Sequence, residues 1–127
     1  MTPGQYILVV DDDDDFRDAL CEVLAQAGYP VEQAASGEAA LVRLEGETPG
    51  LVLLDLKMPG IDGWGVIERM RAEPRWAAIP VLILSAYGYE WEAELLGVQG
   101  YIPKADVKMD GILARVKTAA GDPPLRH

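Results

Sequence analysis

The sequence has little of what disulfide cross-links, membrane spans and export require. Its single cysteine, Cys21, excludes an internal disulfide framework and is typical of a reducing compartment. No apolar run approaches the roughly 20 residues of a membrane span. The N-terminal residues 1–5 carry no basic segment, so we expect no signal peptide. Together these absences predict a cytoplasmic protein that does not enter a membrane.

Positive charge is also scarce. Eleven lysines and arginines stand against 21 aspartates and glutamates, which gives a formal net charge of −10. Because nucleic-acid backbones are held by clusters of Lys and Arg, this balance argues against direct nucleic-acid binding. It fits a cation-binding pocket or a basic protein partner, although a charge of this sign and size also serves solubility alone.

What is present indicates one globular domain. Apolar residues make up 50% of the 127 residues and charged residues 25%, which is the composition of an ordinary globular protein with a single hydrophobic core. There are no internal repeats and no linker-like segment. We expect a domain over residues 5–121 and a short tail over residues 122–127, with no effector domain among these residues.

Strand-like and helix-like segments alternate along the chain. Short apolar runs predict strands at residues 6–10, 31–34, 51–54, 81–84 and 101–103. Helical spacing of apolar residues predicts five helices. The fourth, at residues 90–96, is short or irregular, and the last covers residues 107–120. This alternation predicts an α/β fold, a doubly wound five-stranded parallel sheet of order 2-1-3-4-5 with helices on both faces.

Reactive groups stand at the ends of four of these strands: Asp11 and Asp12, Asp55, Ser85, and Lys104. In a parallel sheet these ends share one edge, and ligands of doubly wound folds bind at that edge, where the strand order reverses. We therefore expect three carboxylates, a hydroxyl and an ammonium group to converge there.

The three carboxylates of Asp11, Asp12 and Asp55 would repel one another in one pocket unless a cation joined them. A hard divalent ion, Mg2+ or Mn2+, suits such a site because it takes carboxylate, water and phosphate oxygens. The alternative is that the acidic run at residues 11–15 only caps the first predicted helix and solvates a loop.

Asp55 is also a candidate nucleophile. A carboxylate that attacks phosphorus forms an aspartyl phosphate, and phosphoryl transfer mainly needs groups that neutralise the phosphoryl oxygens. A metal ion, Lys104 and the Ser85 hydroxyl would supply these groups. Taken singly, Ser85 is better explained by a bond to its own backbone and Lys104 by a solvated surface position. Their joint occurrence at matching strand ends favours a phosphoryl site.

Four segments carry motifs in an order that we identify with a known family. They are ILVVDDD at residues 7–13, LLDLKMPGIDG at 53–63, LSA at 84–86 and GYIPK at 100–104. They resemble the acidic pair, the phosphorylation segment, the switch Ser/Thr segment and the aromatic-switch and lysine segment of CheY-like receiver domains of bacterial two-component response regulators. The resemblance covers about residues 5 to 120 and implies the flavodoxin-like form of the predicted fold.

The resemblance also implies roles for individual residues. Asp55 is the phospho-acceptor, and Asp11, Asp12, Asp55 and the Lys57 backbone carbonyl surround the metal ion. Ser85 and Lys104 contact the phosphoryl group, while Ser85 and Tyr101 form the switch. The implied partners are a histidine kinase or histidine phosphotransfer protein and an unknown downstream protein. The chain is then a signalling domain that catalyses its own phosphorylation and dephosphorylation, and not a metabolic enzyme.

The sequence departs from the family pattern beside the lysine. Ala105 follows Lys104 where relatives usually have proline, and Pro103 precedes it. Because a cis bond before a residue other than proline costs about 3 kcal/mol, we expect a trans bond here. The segment between Ser85 and Lys104 is also shorter than in typical relatives, which is why the predicted fourth helix is short. Within it, Trp91 is a candidate partner contact.

Other functions fit less well. The main alternative is a receiver-like protein-interaction module that phosphorylation does not switch. A phosphohydrolase would place a second acid two residues after the nucleophile, where this chain has Lys57. A calcium loop starting at Asp11 would need glycine where Phe16 stands. A flavin site would need a Ser/Thr/Gly-rich phosphate loop after the first strand, and the acidic run stands there instead.

Overall fold

The computed structural model describes residues 1–86, 97–105 and 107–124. The described elements, in chain order, are β1 (Ile7–Val10), α1 (Asp14–Gln26), β2 (Val31–Ala34), α2 (Gly37–Leu44), β3 (Leu51–Asp55), α3 (Gly63–Ala72), β4 (Val81–Ser85), β5 (Gly100–Pro103) and the C-terminal helix, here α4 (Met109–Ala120). The predicted helix at residues 90–96, Trp91 within it, and residues 125–127 of the predicted tail lie outside the described residues.

The five strands form one parallel sheet in the order β2-β1-β3-β4-β5. This confirms the predicted fold class and strand order. The register pairs Val10 with Leu54 and Asp55 with Leu84, while Ser85 pairs with Pro103. Consequently β1, β3, β4 and β5 end at nearly the same height, and the residues that follow them meet at one edge of the sheet.

Two apolar layers hold the sheet between its helices. Side chains of successive strand residues alternate between the layers, so that Leu8 and Val10 pack with α2 and α3 while Ile7 and Val9 pack with α1 and α4. All residues of β1, β3 and β4 are buried. A slip of one residue would move each side chain into the wrong layer, so this burial fixes the register that builds the edge.

Side-chain caps begin three of the helices. Asp13 accepts a hydrogen bond from the backbone amide of Phe16 at 3.1 Å, and Asp62 accepts one from Gly65 at 2.9 Å. Ser36 caps α2 in the same way. These caps satisfy amide groups that the helix itself leaves without partners. The first two place the starts of α1 and α3 directly after the strand ends that carry Asp11 and Asp55.

The last helix begins later than predicted. It covers Met109–Ala120, whereas the apolar spacing placed its start at residue 107. The reason is the extended backbone of Lys108, with φ −82° and ψ 163°, which makes that residue the N-cap position. Val107 precedes the helix and is partly buried against the layer formed by α1 and α4.

No helix in the described part of the chain combines the length and the apolar character that crossing a bilayer demands.

A close backbone approach positions the residues after β3. The amide of Gly63 donates a hydrogen bond to the Leu56 carbonyl at 3.0 Å. A Cβ atom on Gly63 would lie 2.7 Å from the Leu56 Cα and would also meet the Asp55 carbonyl oxygen. The start of α3 therefore lies against the backbone of Asp55 itself, with no room for a side chain.

We predict that Gly63→Ala lowers the free energy of unfolding by about 1–3 kcal/mol, because backbone atoms must move to admit the methyl group. Urea denaturation measures the change. The matched control is Gly46→Ala, whose Cβ would meet the Arg43 carbonyl oxygen at an ordinary 3.4 Å. The control should stay within about 1 kcal/mol of the wild type, and equal losses in both variants would contradict the close-approach argument.

Candidate functional site

The carboxyl edge of the sheet carries a cluster of three carboxylates. Asp11 and Asp55 are buried, with 0% and 5% of their surfaces exposed, whereas the adjacent Asp12 is exposed. One carboxylate oxygen from each residue lies within 4.8 Å of the other two. The predicted convergence of these groups is therefore present, with one acidic residue on the solvent side and two inside.

The ammonium group of Lys104 lies in the same cluster. Its Nζ donates a hydrogen bond to Asp11 Oδ2 at 2.7 Å and lies 3.6 Å from Asp55 Oδ2. The backbone amide of Lys104 donates to the Ser85 carbonyl at 2.8 Å, which ties the end of β5 to the end of β4. All peptide bonds between described residues are trans, including the one between Lys104 and Ala105.

Charge and burial shift the proton affinities of this cluster. Burial, and after it the neighbouring charge of Asp11, raise the pKa of Asp55 from 3.8 to about 6; Lys104 and the Lys57 amide, at 3.3 Å, oppose the rise without cancelling it. Burial alone would lower the pKa of Lys104, but the bond to Asp11 and the charges of Asp55 and Asp11 outweigh it and the pKa is raised. The ammonium therefore stays charged at neutral pH.

The donor set fits a hard divalent cation. One ammonium group lies beside three clustered carboxylates, two of them buried, and burial together with the charge of Asp11 raises the pKa of Asp55. Closely spaced carboxylate oxygens without sulfur or imidazole ligands suit Mg2+ or Mn2+. The exposed position of Asp12 leaves this side of the cluster open to water.

The other predicted residues take different positions. Ser85 is fully buried at the end of β4, next to the cluster through its carbonyl. Tyr101 is 8% exposed and packs in the layer with α2 and α3 instead of joining the cluster. Its hydroxyl is the one buried side-chain polar atom in the described part of the chain that lacks a hydrogen-bond partner. The metal role of the Lys57 carbonyl stays a prediction.

Two neighbours of the cluster were not anticipated as site residues. Arg17 is buried and donates to the Asp11 carbonyl at 2.7 Å, to Gln33 Oε1 at 2.9 Å and to Asp14 Oδ1 at 2.7 Å. The ring of Phe16 lies under the ammonium of Lys104, with 4.4 Å between Nζ and the ring centroid. Arg17 falls at helical spacing from the buried Cys21, and this placement of a charge on an inward face is the signal that could have identified it.

Glu38, in the first turn of α2, accepts a hydrogen bond from the Ile61 amide at 2.8 Å. It connects α2 to the loop that follows Asp55. Nothing in the spacing of the sequence brings these two residues together, because 23 positions separate them.

A buried acidic cluster with a lysine, at the carboxyl edge of a 2-1-3-4-5 parallel sheet, defines the receiver class of signalling domains. Comparison with known proteins agrees: the model of the response regulator receiver domain matches residues 7–117. The chain belongs to the response regulator receiver domain family, which confirms the family inferred from its four motifs.

Solved structures share the fold. The chain aligns with chemotaxis protein CheY4 of Vibrio cholerae at a TM-score of 0.83 and 24% identity, over 91% of this chain and 98% of the other. It aligns with the receiver domain of NtrX from Brucella abortus at a TM-score of 0.81 and 28% identity, over 90% and 97%.

Curated relatives include both short and long proteins. The chain is 45% identical over 85 residues to sporulation initiation phosphotransferase F of Bacillus subtilis, covering 67% of each. It is 38% identical over 120 residues to the DNA-binding dual master transcriptional regulator RpaA of Synechocystis, covering 87% of this chain and 47% of the regulator. It thus spans about half the length of that relative.

The raised pKa of Asp55 predicts a pH dependence of stability in the metal-free protein. Because the folded state holds this proton more tightly than the unfolded chain, the free energy of unfolding falls as pH rises from about 4 to 6. Asp55→Asn removes the buried charge. In EDTA the variant should exceed the wild type by about 2 kcal/mol at pH 8, and the difference should shrink towards zero below pH 4.

Urea denaturation at both pH values tests this expectation. Asp18→Asn, which removes the same charge from an exposed position on α1, is the matched control and should differ from the wild type by no more than about 0.5 kcal/mol at either pH. A stability difference for Asp55→Asn that does not change with pH would contradict the argument.

Proposed function

We propose that this chain is the phospho-accepting receiver of a two-component phosphorelay, in which Asp55 takes a phosphoryl group from a phosphohistidine donor in the presence of Mg2+. The observation that carries the proposal is the position of the Asp55 carboxylate. It ends the central strand within 4.8 Å of oxygens of Asp11 and Asp12 and 3.6 Å from the ammonium of Lys104. The donor is a histidine kinase or a histidine phosphotransfer protein.

In the transfer, a carboxylate oxygen of Asp55 attacks phosphorus while the bond from phosphorus to the donor's imidazole nitrogen breaks. The imidazole leaves with the electron pair, and Asp55 becomes an acyl phosphate. A pKa of about 6 keeps Asp55 mainly ionised at neutral pH, as a nucleophile must be. Lys104, already 3.6 Å from that carboxylate, turns from Asp11 to an oxygen of the phosphoryl group.

Asp11, Asp12, Asp55 and the Lys57 backbone carbonyl would hold the metal ion. When bound, Mg2+ supplies charge that neutralises phosphoryl oxygens during transfer. In its absence the protein compensates two buried carboxylates with one lysine, an arrangement that favours cation binding.

Phosphorylation then acts as a switch on a protein-binding surface. The new charge and acceptor oxygens at Asp55 attract the hydroxyl of Ser85, and Tyr101 responds to the space this leaves. The buried hydroxyl of Tyr101 without a partner supports a role in an equilibrium between two positions, because this burial costs about 1–3 kcal/mol. The output is a protein contact made by a cytoplasmic signalling domain, and not turnover of a metabolite.

The relatives' names fit this function in two ways. A phosphotransferase of sporulation and a DNA-binding transcriptional regulator both contain the region that this chain matches. We assign phosphoryl acceptance and protein contact to the present residues. We assign them no nucleic-acid binding, because their net charge is −10. The alternative is an interaction module that phosphorylation does not switch. A missing acceptor or a missing lysine would favour it, but this chain contains both Asp55 and Lys104.

Metal binding is the first property to measure. We predict that wild-type protein binds Mg2+ in isothermal titration calorimetry and that Asp11→Asn weakens the affinity by at least about tenfold, since even residues that only support metal ligands contribute that much. Asp18→Asn, an exposed position of equal charge, should bind like the wild type. Equal weakening by both substitutions would assign the effect to overall charge and not to a site.

Phosphorylation itself is tested by intact mass after incubation with acetyl phosphate and Mg2+. We expect one phosphoryl group on the wild type, none on Asp55→Asn and none on the wild type in EDTA. The variant must remain folded, which its circular dichroism checks. An adduct on Asp55→Asn would assign the acceptor elsewhere, and a folded, Mg2+-binding wild type without any adduct would favour the unswitched module.

A further inference from the structure

Three groups in the described part of the chain lie close to the ammonium group of Lys104. Two are carboxylates, Asp11 at 2.7 Å and Asp55 at 3.6 Å. The third is the ring of Phe16, with its centroid 4.4 Å from Nζ. This distance is well within the range of a cation–π interaction, in which the negative face of an aromatic ring attracts a cation.

The ring and the carboxylates differ in how their contact with Lys104 changes when a metal ion and a phosphoryl group occupy the site. Asp11 and Asp55 are the groups that a metal ion and a phosphoryl group would engage, so their hold on Lys104 changes during the reaction. The aromatic face of Phe16 binds neither the metal ion nor the phosphoryl group. Its attraction for a cation is spread over the ring face and is not directed at one atom. It can keep the ammonium group at the site while its hydrogen bond passes from Asp11 to another oxygen.

The backbone that carries the ring is held by the same loop that carries Asp11. Phe16 lies in the first turn of α1, and its amide is bonded to the cap residue Asp13 at 3.1 Å. The next residue, Arg17, is bonded to the Asp11 carbonyl at 2.7 Å. The backbones of Phe16 and Asp11 are therefore joined through these bonds, and the Lys104 ammonium group lies against side chains of both residues.

We propose that Phe16 is a positioning residue for phosphoryl transfer: its aromatic face holds the Lys104 ammonium group over the acceptor and limits its access to water. The proposal rests on the function proposed above. It requires that an aromatic face, and not merely an apolar side chain of similar bulk, stands at residue 16.

Three substitutions distinguish a role of the aromatic face from a role of apolar bulk alone. Phe16→Leu keeps an apolar side chain without a π face, whereas Phe16→Tyr and Phe16→Trp keep the face. With Mg2+ and acetyl phosphate, we expect the rate constant of phosphorylation to fall about three- to tenfold in Phe16→Leu. In the Tyr and Trp variants it should stay within about twofold of the wild type, because these rings bind cations at least as well.

A role in packing alone predicts the opposite order. Leucine is then tolerated and tryptophan is the most damaging, since its larger ring overfills a site built for phenylalanine. Leu close to wild type with Trp slow would overturn the proposal. Mg2+ affinity should be the same in all four proteins, because Phe16 offers no oxygen that could bind the metal ion.

A readout on the metal-free protein does not depend on catalysis. A lysine over a ring face experiences the ring current, so the ε-methylene protons of Lys104 should be shifted upfield in NMR spectra of the wild type, Tyr and Trp proteins. The shift should vanish in Phe16→Leu, while the same protons of Lys57 and Lys117 stay unchanged as internal controls. An unshifted Lys104 in the wild type would overturn the contact itself.

The two proposals fail differently. If the wild type forms no adduct, phosphoryl acceptance is wrong and the role of Phe16 falls with it, whatever the NMR shift. If the wild type and Phe16→Leu form the adduct at equal rates, the proposed function stands and the positioning role is overturned.

Discussion

The structure depends on how two buried carboxylates and one ammonium group share charge at the edge of the sheet. Asp11 and Asp55 cannot both be ionised in a buried site without compensation. Lys104 lies closer to Asp11, at 2.7 Å, than to Asp55, at 3.6 Å, so the compensation is unequal. Burial and the neighbouring charge of Asp11 outweigh what Lys104 gives to Asp55, and its pKa is raised to about 6. The residue with the least compensated charge is the proposed nucleophile.

The rest of the fold keeps this costly arrangement in place. The parallel register brings the ends of β1, β3, β4 and β5 together, and the burial of both sheet faces prevents a slip. Buried Arg17 bonds to the Asp11 carbonyl, and the absence of a side chain at Gly63 lets α3 start against Asp55. The packing of the core therefore holds the Asp11 and Asp55 carboxylates close together in spite of their mutual repulsion.

The fold and the acidic cluster could be predicted from sequence because both follow from local patterns. Apolar runs that end in Asp11, Asp55 and Lys104 predict the strands. Because ligand sites of doubly wound sheets lie at the carboxyl ends of the strands, they also predict that these residues meet at one edge. The partners of Phe16 and Arg17 could not be predicted in this way. Both lie on α1, where spacing indicates only which face turns inward, whereas a ring under a lysine 88 positions away depends on the packed structure.

Lys104 connects the chemistry of the site to its output through two different groups. Its ammonium responds to charge at Asp55, while its backbone amide is bonded to the Ser85 carbonyl at 2.8 Å. In the proposed function, the side chain that would turn towards a phosphoryl group belongs to a residue whose backbone joins the ends of β4 and β5. Tyr101 lies on that same β5 with an unpartnered hydroxyl, an energetic cost of about 1–3 kcal/mol that a change at the strand end could relieve. In the proposed switch, a displacement of Lys104 would act on β5, the strand that also carries this unpartnered hydroxyl.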